Sequence, residues 1–212
     1  MSVRLGRFME RIGVLPTTQF AYRKCLGTCD TLLCKSHSLQ NALENGQEAK
    51  ILQIDFSADF DTVNNQGILY KLCSVGIAGS VFSILTPFLS NRPQHVMVDG
   101  YRGQLVNVVS GVPQGSVLCP LLFLLYIREL FSILDNKLIG YADDYTLIAV
   151  VPSPGGRLTV VESLNSDLVK ISEWCELWGM KLNASTIKTI IVSRSLTMHP
   201  RSPALNIGGT VL

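Results

Sequence analysis

Two adjacent acids, Asp143 and Asp144, stand between two short apolar runs. The runs, residues 138–140 and 146–151, are typical of buried strands, so the acids are predicted at the turn of a hairpin. Carboxylates held between buried strands lose water and repel each other, a cost that a bound cation offsets. The pattern therefore indicates a divalent metal site. For these residues alone, an ordinary Asp-Asp turn at the surface is the alternative.

A further acid, Asp55, lies at the end of a predicted strand over residues 51–56. Because side chains alternate along a strand, Asp55 lies on the face opposite to Phe56. Two-metal phosphoryl transfer requires hard oxygen ligands from separate elements, which Asp55 and Asp143 would supply. An acidic turn after a strand is the alternative, and it explains the acids that follow Asp55 better than Asp55 itself.

Residues 110–120 contain two glycines and two prolines, a composition that enforces a shaped loop. Glycine lets the backbone approach a ligand closely, and Gln114 offers an amide donor and acceptor. The apolar residues 121–134 then predict a helix. A purely structural turn is the alternative for the loop.

Together these segments resemble reverse transcriptases, and most closely the polymerase of non-LTR, LINE-type retrotransposons. The resemblance runs from about residue 5 to residue 195 in a chain of 212 residues. The matching stretches are residues 19–24, 27–28, 55–61, 110–120, 141–144 and 174–183.

The resemblance implies a metal site with named ligands. Asp55 and Asp143 would bind two Mg²⁺ ions, with Mn²⁺ as an alternative ion, and the backbone carbonyl of Phe56 would add a ligand. Asp144 would lie beside the ions and tune the site.

The resemblance also implies contacts with substrates. Phe60 would lie under the incoming sugar, where its ring clashes with a 2′-hydroxyl and so selects deoxynucleotides. Arg23 and Lys24 would hold the triphosphate, although an exposed basic pair explains them equally well. Further implied nucleotide-binding residues are Gln114 and Gly115, and implied template or primer contacts are Gly111, Pro113, Ser116 and Tyr141.

The implied activity is that of an RNA-directed DNA polymerase. A DNA primer 3′-hydroxyl, paired with an RNA template, would attack the α-phosphorus of a dNTP and release pyrophosphate. The fold implied is an α+β polymerase palm, an antiparallel sheet bearing Asp55 and Asp143 and backed by helices. Residues 1–195 would form fingers and palm, with partial fingers at about 1–50, and residues 196–212 a loose tail. No thumb is expected, and therefore weak template–primer binding.

Several residues depart from the family pattern. Asp59 replaces a small residue and would either disturb a metal or point to solvent. Cys25 and Cys119, like Ala21, stand where relatives carry glycine, and Thr186 stands where they carry lysine. These changes leave open an inactive palm remnant that binds nucleic acid or protein. A maturase-like or telomerase-like enzyme and an unrelated metal nuclease are the remaining alternatives.

Charge and composition add little on nucleic-acid binding. The formal net charge is +2 and 47% of residues are hydrophobic, consistent with one sizeable core. The six cysteines show no metal-ligand spacing, and the longest apolar run is too short to span a membrane. We expect an intracellular protein, nuclear or cytoplasmic and not secreted, with reduced thiols.

Overall fold

The computed structural model describes residues 1–90, 92–152, 156–194, 205–207 and 210–211. The chain forms two compact units, each built from two separate stretches. The first comprises Met1–Val14 and Ala58–Tyr126, and the second comprises Leu15–Ser57 and Ile127–Leu212. Residues 1–50 thus contribute to both units, and their assignment as partial fingers stays a prediction.

Helices and strands alternate along the described residues. The helices are α1 (Ser2–Arg11), α2 (Thr28–Glu44), α3 (Asp59–Thr62), α4 (Asn65–Ser74), α5 (Gly79–Leu89), α6 (Cys119–Ile127), α7 (Leu130–Ile133) and α8 (Arg157–Trp178). The strands are β1 (Glu48–Ile54), β2 (Arg92–Gln94), β3 (Met97–Val98), β4 (Tyr101–Arg102), β5 (Val106–Val108), β6 (Lys137–Tyr141), β7 (Asp144–Val151), β8 (Lys188–Val192), β9 (Asn206–Ile207) and β10 (Thr210–Val211). Within these residues, no helix is both long enough and apolar enough to cross a membrane.

A four-stranded sheet organises the second unit. Its strand order is β6-β7-β1-β8, and every neighbouring pair is antiparallel. The central strand β1 ends at Ile54, which pairs with Tyr145 of β7. The predicted antiparallel sheet is confirmed, and Asp55 directly follows its central strand.

Helices cover both faces of this sheet, because its central strands are apolar on both sides. Ala42 of α2 packs in one cluster with Ala49, Ile139 and Ile148 of the sheet. On the opposite side, Trp174 of α8 lies 6.5 Å from Phe56 between ring centroids. The predicted backing helices are therefore present.

In the first unit, α6 holds the segment that follows Phe60. The hydroxyl of Tyr126 accepts a hydrogen bond from the Asn64 backbone N–H at 3.2 Å. The Tyr126 carbonyl accepts one from the fully buried Lys71, whose ammonium also lies 4.7 Å from the Tyr126 ring centroid. A buried ammonium needs such partners, since desolvation disfavours its charge.

Two predicted elements differ from the structure. The single helix over residues 121–134 is two helices, α6 and α7, because the chain turns at Arg128 and Glu129. The sequence also predicts that residues 95–98 and 105–109 form a strand pair that turns near Asp99 and Gly100, and this pairing is wrong. β3 pairs with β4 across that turn, while β5 pairs with β2. Alternation of apolar residues marks a strand but leaves its partner and register open.

The expected loose tail, residues 196–212, falls largely outside the described residues. Leu205 is buried, and Asn206–Ile207 pairs antiparallel with Thr210–Val211. The loose tail stays a prediction for the residues outside this range.

Candidate active site

The predicted hairpin is formed by β6 and β7. Tyr141 pairs with Asp144, so Ala142 and Asp143 form a two-residue turn in which Ala142 has a positive φ of 57°. Both Asp143 and Asp144 are exposed to solvent. The desolvation argument is therefore wrong for this pair: the strands are buried, but the turn carries its carboxylates beyond them.

A buried glutamine supports this turn. Gln19 is fully buried, and its side-chain Nε2 donates to the Ala142 carbonyl at 3.2 Å. A β-carbon on Gly140 would lie 2.7 Å from that same Nε2 and 2.9 Å from Phe131 Cζ, so a larger residue there would displace one of these side chains. The matched segment 19–24 thus has a role that its sequence pattern did not reveal, because the contact joins residues 123 apart.

The sheet register places Asp55 on the same face as Asp144. Paired residues of antiparallel strands share a face, and continuing the pairing of Ile54 with Tyr145 by one step brings Asp55 opposite Asp144. Phe56 faces the other way and is buried, with its ring 5.3 Å from that of Tyr145. This register makes Asp55 and Asp144 neighbours across the ends of β1 and β7, while a metal site shared by Asp55 and Asp143 stays a prediction.

Asp55 is half-buried and held by the segment that precedes β8. Its Oδ2 accepts hydrogen bonds from the Thr186 hydroxyl at 2.8 Å and from Asn183 Nδ2 at 3.4 Å. Its backbone carbonyl accepts from the Asn183 N–H at 2.9 Å. Among the described residues, none donates a hydrogen bond to the other carboxylate oxygen, Oδ1.

The donor set fits a hard divalent cation in part. Carboxylate and carbonyl oxygens are the ligands that Mg²⁺ prefers, and it commonly uses one or two carboxylates together with substrate phosphates. Within the described part of the chain, no three His, Cys, Asp or Glu side chains converge on one metal position. Asp55 and Asp143 would therefore hold a cation with non-carboxylate oxygens completing its shell.

Lys35 of α2, which the sequence pattern did not single out, lies near Asp144. Burial lowers the pKa of Lys35 in α2 below its ordinary value, while the nearby charge of Asp144 acts in the opposite direction. Lys35 lies on one helical stripe with the buried Thr31 and Ala42, at spacings of four and seven residues. The spacing predicts that Lys35 lies on the helix face toward the sheet, but it does not predict that Lys35 lies near Asp144.

The loop after β5 lies in the first unit and is docked on α3. Gly111 N–H donates to the Val63 carbonyl at 2.7 Å, and Val112 N–H donates to the Phe60 carbonyl at 2.9 Å. The Gln114 amide donates to Asp61 Oδ1 at 2.8 Å. The predicted shaped loop is present, and it is shaped by contacts with the backbone that carries Phe60.

Two glycines of this loop have a positive φ of 80°, Gly111 and Gly115. A β-carbon on Gly111 would lie 2.9 Å from both Cα and O of Asp61, whereas none of the described atoms lies within 4 Å of one on Gly115. Gly111 is therefore required by a close approach as well as by its conformation. Pro113 and Ser116 are half-buried, and Ser116 Oγ accepts from the Leu118 N–H at 3.1 Å, next to the start of α6.

Phe60 is half-buried, and its ring lies 4.4 Å from that of Phe123 between centroids. The neighbouring Asp59 is buried, so the expectation that it could point to solvent is wrong. As the first residue of α3, its carboxylate suits the helix N-terminus.

Arg23 and Lys24 differ in their surroundings. Arg23 Nη1 donates to the carbonyls of Pro16 at 2.6 Å and Gln19 at 3.0 Å, so part of its guanidinium is used within the fold. Lys24 is exposed. Their contact with a triphosphate stays a prediction. The predicted site residues fall in both units: Arg23, Lys24, Asp55, Phe56, Tyr141, Asp143 and Asp144 in the second, and Phe60, Gly111, Pro113, Gln114, Gly115 and Ser116 in the first.

Sequence comparison finds relatives among mobile-element polymerases. The chain is 29% identical over 200 residues to the RNA-directed DNA polymerase from mobile element jockey of Drosophila melanogaster, covering 85% of this chain and 21% of that protein. The jockey polymerase of Drosophila funebris is 26% identical over 227 residues, covering 98% of this chain and 24% of the relative. The chain thus spans 21–24% of the length of these relatives.

Structural comparison finds telomerases. A truncated apo telomerase from Candida tropicalis superposes with a TM-score of 0.65 at 12% identity, over 92% of this chain and 40% of that chain. Telomerase from Candida albicans with a telomeric RNA fragment gives 0.62 at 15%, over 99% and 35%. At such identities the likeness establishes the fold alone, and it agrees with the predicted polymerase palm.

A family model for reverse transcriptase (RNA-dependent DNA polymerase) matches residues 2–199, nearly the whole chain. This match includes the Asp55 strand end, the loop at residues 110–120 and the hairpin at residues 141–144, and the relatives come from the predicted kind of element. The chain therefore belongs to the reverse transcriptase family.

Proposed function

We propose that this chain is the polymerase part of a LINE-type retrotransposon protein and extends a DNA primer on an RNA template with dNTPs. The observation that carries the proposal is the sheet register, which places Asp55 at the end of β1 beside the β6–β7 hairpin that carries Asp143 and Asp144. Family membership supports the activity, and we propose that the chain works inside the cell, in the nucleus or the cytoplasm.

Asp55 and Asp143, with the Phe56 carbonyl, would hold the cations, and the exposed position of Asp143 suits a ligand that must also meet substrate phosphates. Two bound Mg²⁺ ions, or Mn²⁺, would lower the pKa of the primer hydroxyl and neutralise charge on the leaving pyrophosphate. Phe60 would exclude a 2′-hydroxyl, and the loop anchored through Gly111 would contact the template strand.

The test is Mg²⁺-dependent extension of a DNA primer on an RNA template by the purified chain. Asp143→Asn removes one carboxylate charge at a hairpin turn and should abolish incorporation. Asp99→Asn is the matched control, since Asp99 also lies in a two-residue hairpin turn, has a positive φ of 48° and has no assigned role in catalysis. It should retain incorporation, because Asn tolerates this conformation well.

Two results would contradict the proposal. Incorporation that survives Asp143→Asn would show that the hairpin acid is not required. A folded chain that binds template–primer equally well with either residue at position 143, yet never extends it, would identify an inactive nucleic-acid-binding palm instead.

A further inference from the structure

The segment between α8 and β8 is built against the end of β1. Ser57 N–H donates to the Lys181 carbonyl at 2.8 Å, and Asn183 N–H donates to the Asp55 carbonyl at 2.9 Å. These backbone bonds continue the sheet past Ile54 and fix where residues 183–186 lie. Two side-chain donors of this segment, Thr186 and Asn183, then reach the same oxygen of Asp55, Oδ2.

The Thr186 hydroxyl has one proton and two acceptors within reach. Asp55 Oδ2 lies at 2.8 Å and the Asn183 carbonyl at 3.0 Å. A hydrogen bond to a carboxylate is shorter and about twice as strong as one to a neutral acceptor, so the proton points to Asp55. Ser185 Oγ donates to Asn183 Oδ1 at 2.7 Å, which turns the Asn183 amide so that its N–H₂ faces Asp55.

We propose that Thr186 is a positioning residue that fixes the rotamer of Asp55, holding Oδ2 so that Oδ1 is presented to the cation. This inference rests on the proposed function. The neutral hydroxyl orients the carboxylate without cancelling its charge. Partners of this kind typically change metal affinity by about 10–100-fold when they are removed.

The test measures binding of Mn²⁺ alone to the full chain, by the loss of the electron paramagnetic resonance signal of free Mn²⁺. Thr186→Val keeps the shape of the side chain and removes the hydroxyl, and should raise the Kd about 10-fold. Thr186→Ser keeps the hydroxyl and should bind Mn²⁺ within about 2-fold of the unchanged chain, a much smaller effect than loss of the hydroxyl. Thr189→Val, the same change in β8 at a residue with no bond to Asp55, is the matched control.

A second readout is the Mg²⁺ dependence of primer extension. Thr186→Val should raise the Mg²⁺ concentration at half-maximal rate while the rate at saturating Mg²⁺ largely recovers. A purely structural role would lower the folded fraction instead, which circular dichroism and the Thr189→Val control would reveal.

The outcomes separate this inference from the proposed function. If Asp55→Asn abolishes Mn²⁺ binding and Thr186→Val leaves the Kd unchanged, the positioning role is overturned and the polymerase proposal stands. If Asp55→Asn changes neither binding nor extension, the metal site itself is misassigned and both fail. Weaker binding in Thr186→Val that Thr186→Ser restores supports the inference.

Discussion

Replacing Gly111 by alanine should detach the 110–116 loop from the segment that carries Phe60. The new β-carbon would lie 2.9 Å from Asp61 Cα and 3.0 Å from the Phe60 carbonyl oxygen, both rigid backbone atoms. Its positive φ of 80° adds a conformational penalty of about 1 kcal/mol. Overpacking against backbone typically adds about 1–3 kcal/mol, so the free energy of unfolding should fall by about 2–4 kcal/mol.

Gly115→Ala is the matched control, because it shares the φ of 80° but meets no described atom within 4 Å. It should lose only the conformational part, about 1 kcal/mol. Urea denaturation followed by far-ultraviolet circular dichroism gives both values. Amide hydrogen exchange at Gly111 and Val112 reports locally, since their N–H groups donate to Val63 and Phe60 at 2.7 and 2.9 Å. Equal destabilisation by the two changes, with exchange at Val112 unaltered, would refute the close approach.

Two substitutions and one alkylation experiment test other parts of the second and first units. Asp167→Asn should lower the free energy of unfolding, measured by urea denaturation, by about 1.5–3 kcal/mol. The buried carboxylate accepts hydrogen bonds from the Asp135 N–H at 2.8 Å and from the Asn136 N–H at 3.0 Å. An unchanged free energy of unfolding would show that the loop before β6 does not depend on this carboxylate. Cys25→Gly should raise the free energy of unfolding by up to about 1 kcal/mol and so raise the thermal midpoint, since Cys25 has a φ of 59° that glycine adopts freely. A lower midpoint would count against backbone strain at this residue. The pKa of Cys119 is raised to about 11 by burial and, to a smaller extent, by the negative charge of Asp61, while Arg92 acts in the opposite direction. Its thiol should therefore resist iodoacetamide at pH 8, whereas the exposed Cys25 should react. Because the raised pKa favours the neutral thiol in the folded state, its contribution to stability is complete below about pH 9 and is lost as pH rises toward 11; rapid alkylation of Cys119 in the folded chain would contradict this.

Some features follow from the sequence because they depend on near neighbours. The alternation around Asp55 predicts which face its carboxylate occupies, and β1 bears this out with Leu52 and Ile54 buried and Gln53 exposed. The hairpin at residues 141–144 is set by two apolar runs with an acidic pair between them. The positive φ at Cys25 agrees with the glycine expected there.

Other features depend on residues far apart in the chain, and only the tertiary structure decided them. Hydrophobic patterning says that a strand is buried, but it does not say which polar side chain meets the strand end, because a hydrogen bond requires position to within a few tenths of an ångström. In the sequence, Thr186 is seen only as a departure from the lysine of the family pattern. In the fold it donates a hydrogen bond to Asp55, 131 residues away. Gln19 supports Ala142 for the same reason. The exposure of Asp143 and Asp144 was likewise decided by where the β6–β7 turn emerges from the sheet, a property of strand length and register rather than of the acids themselves.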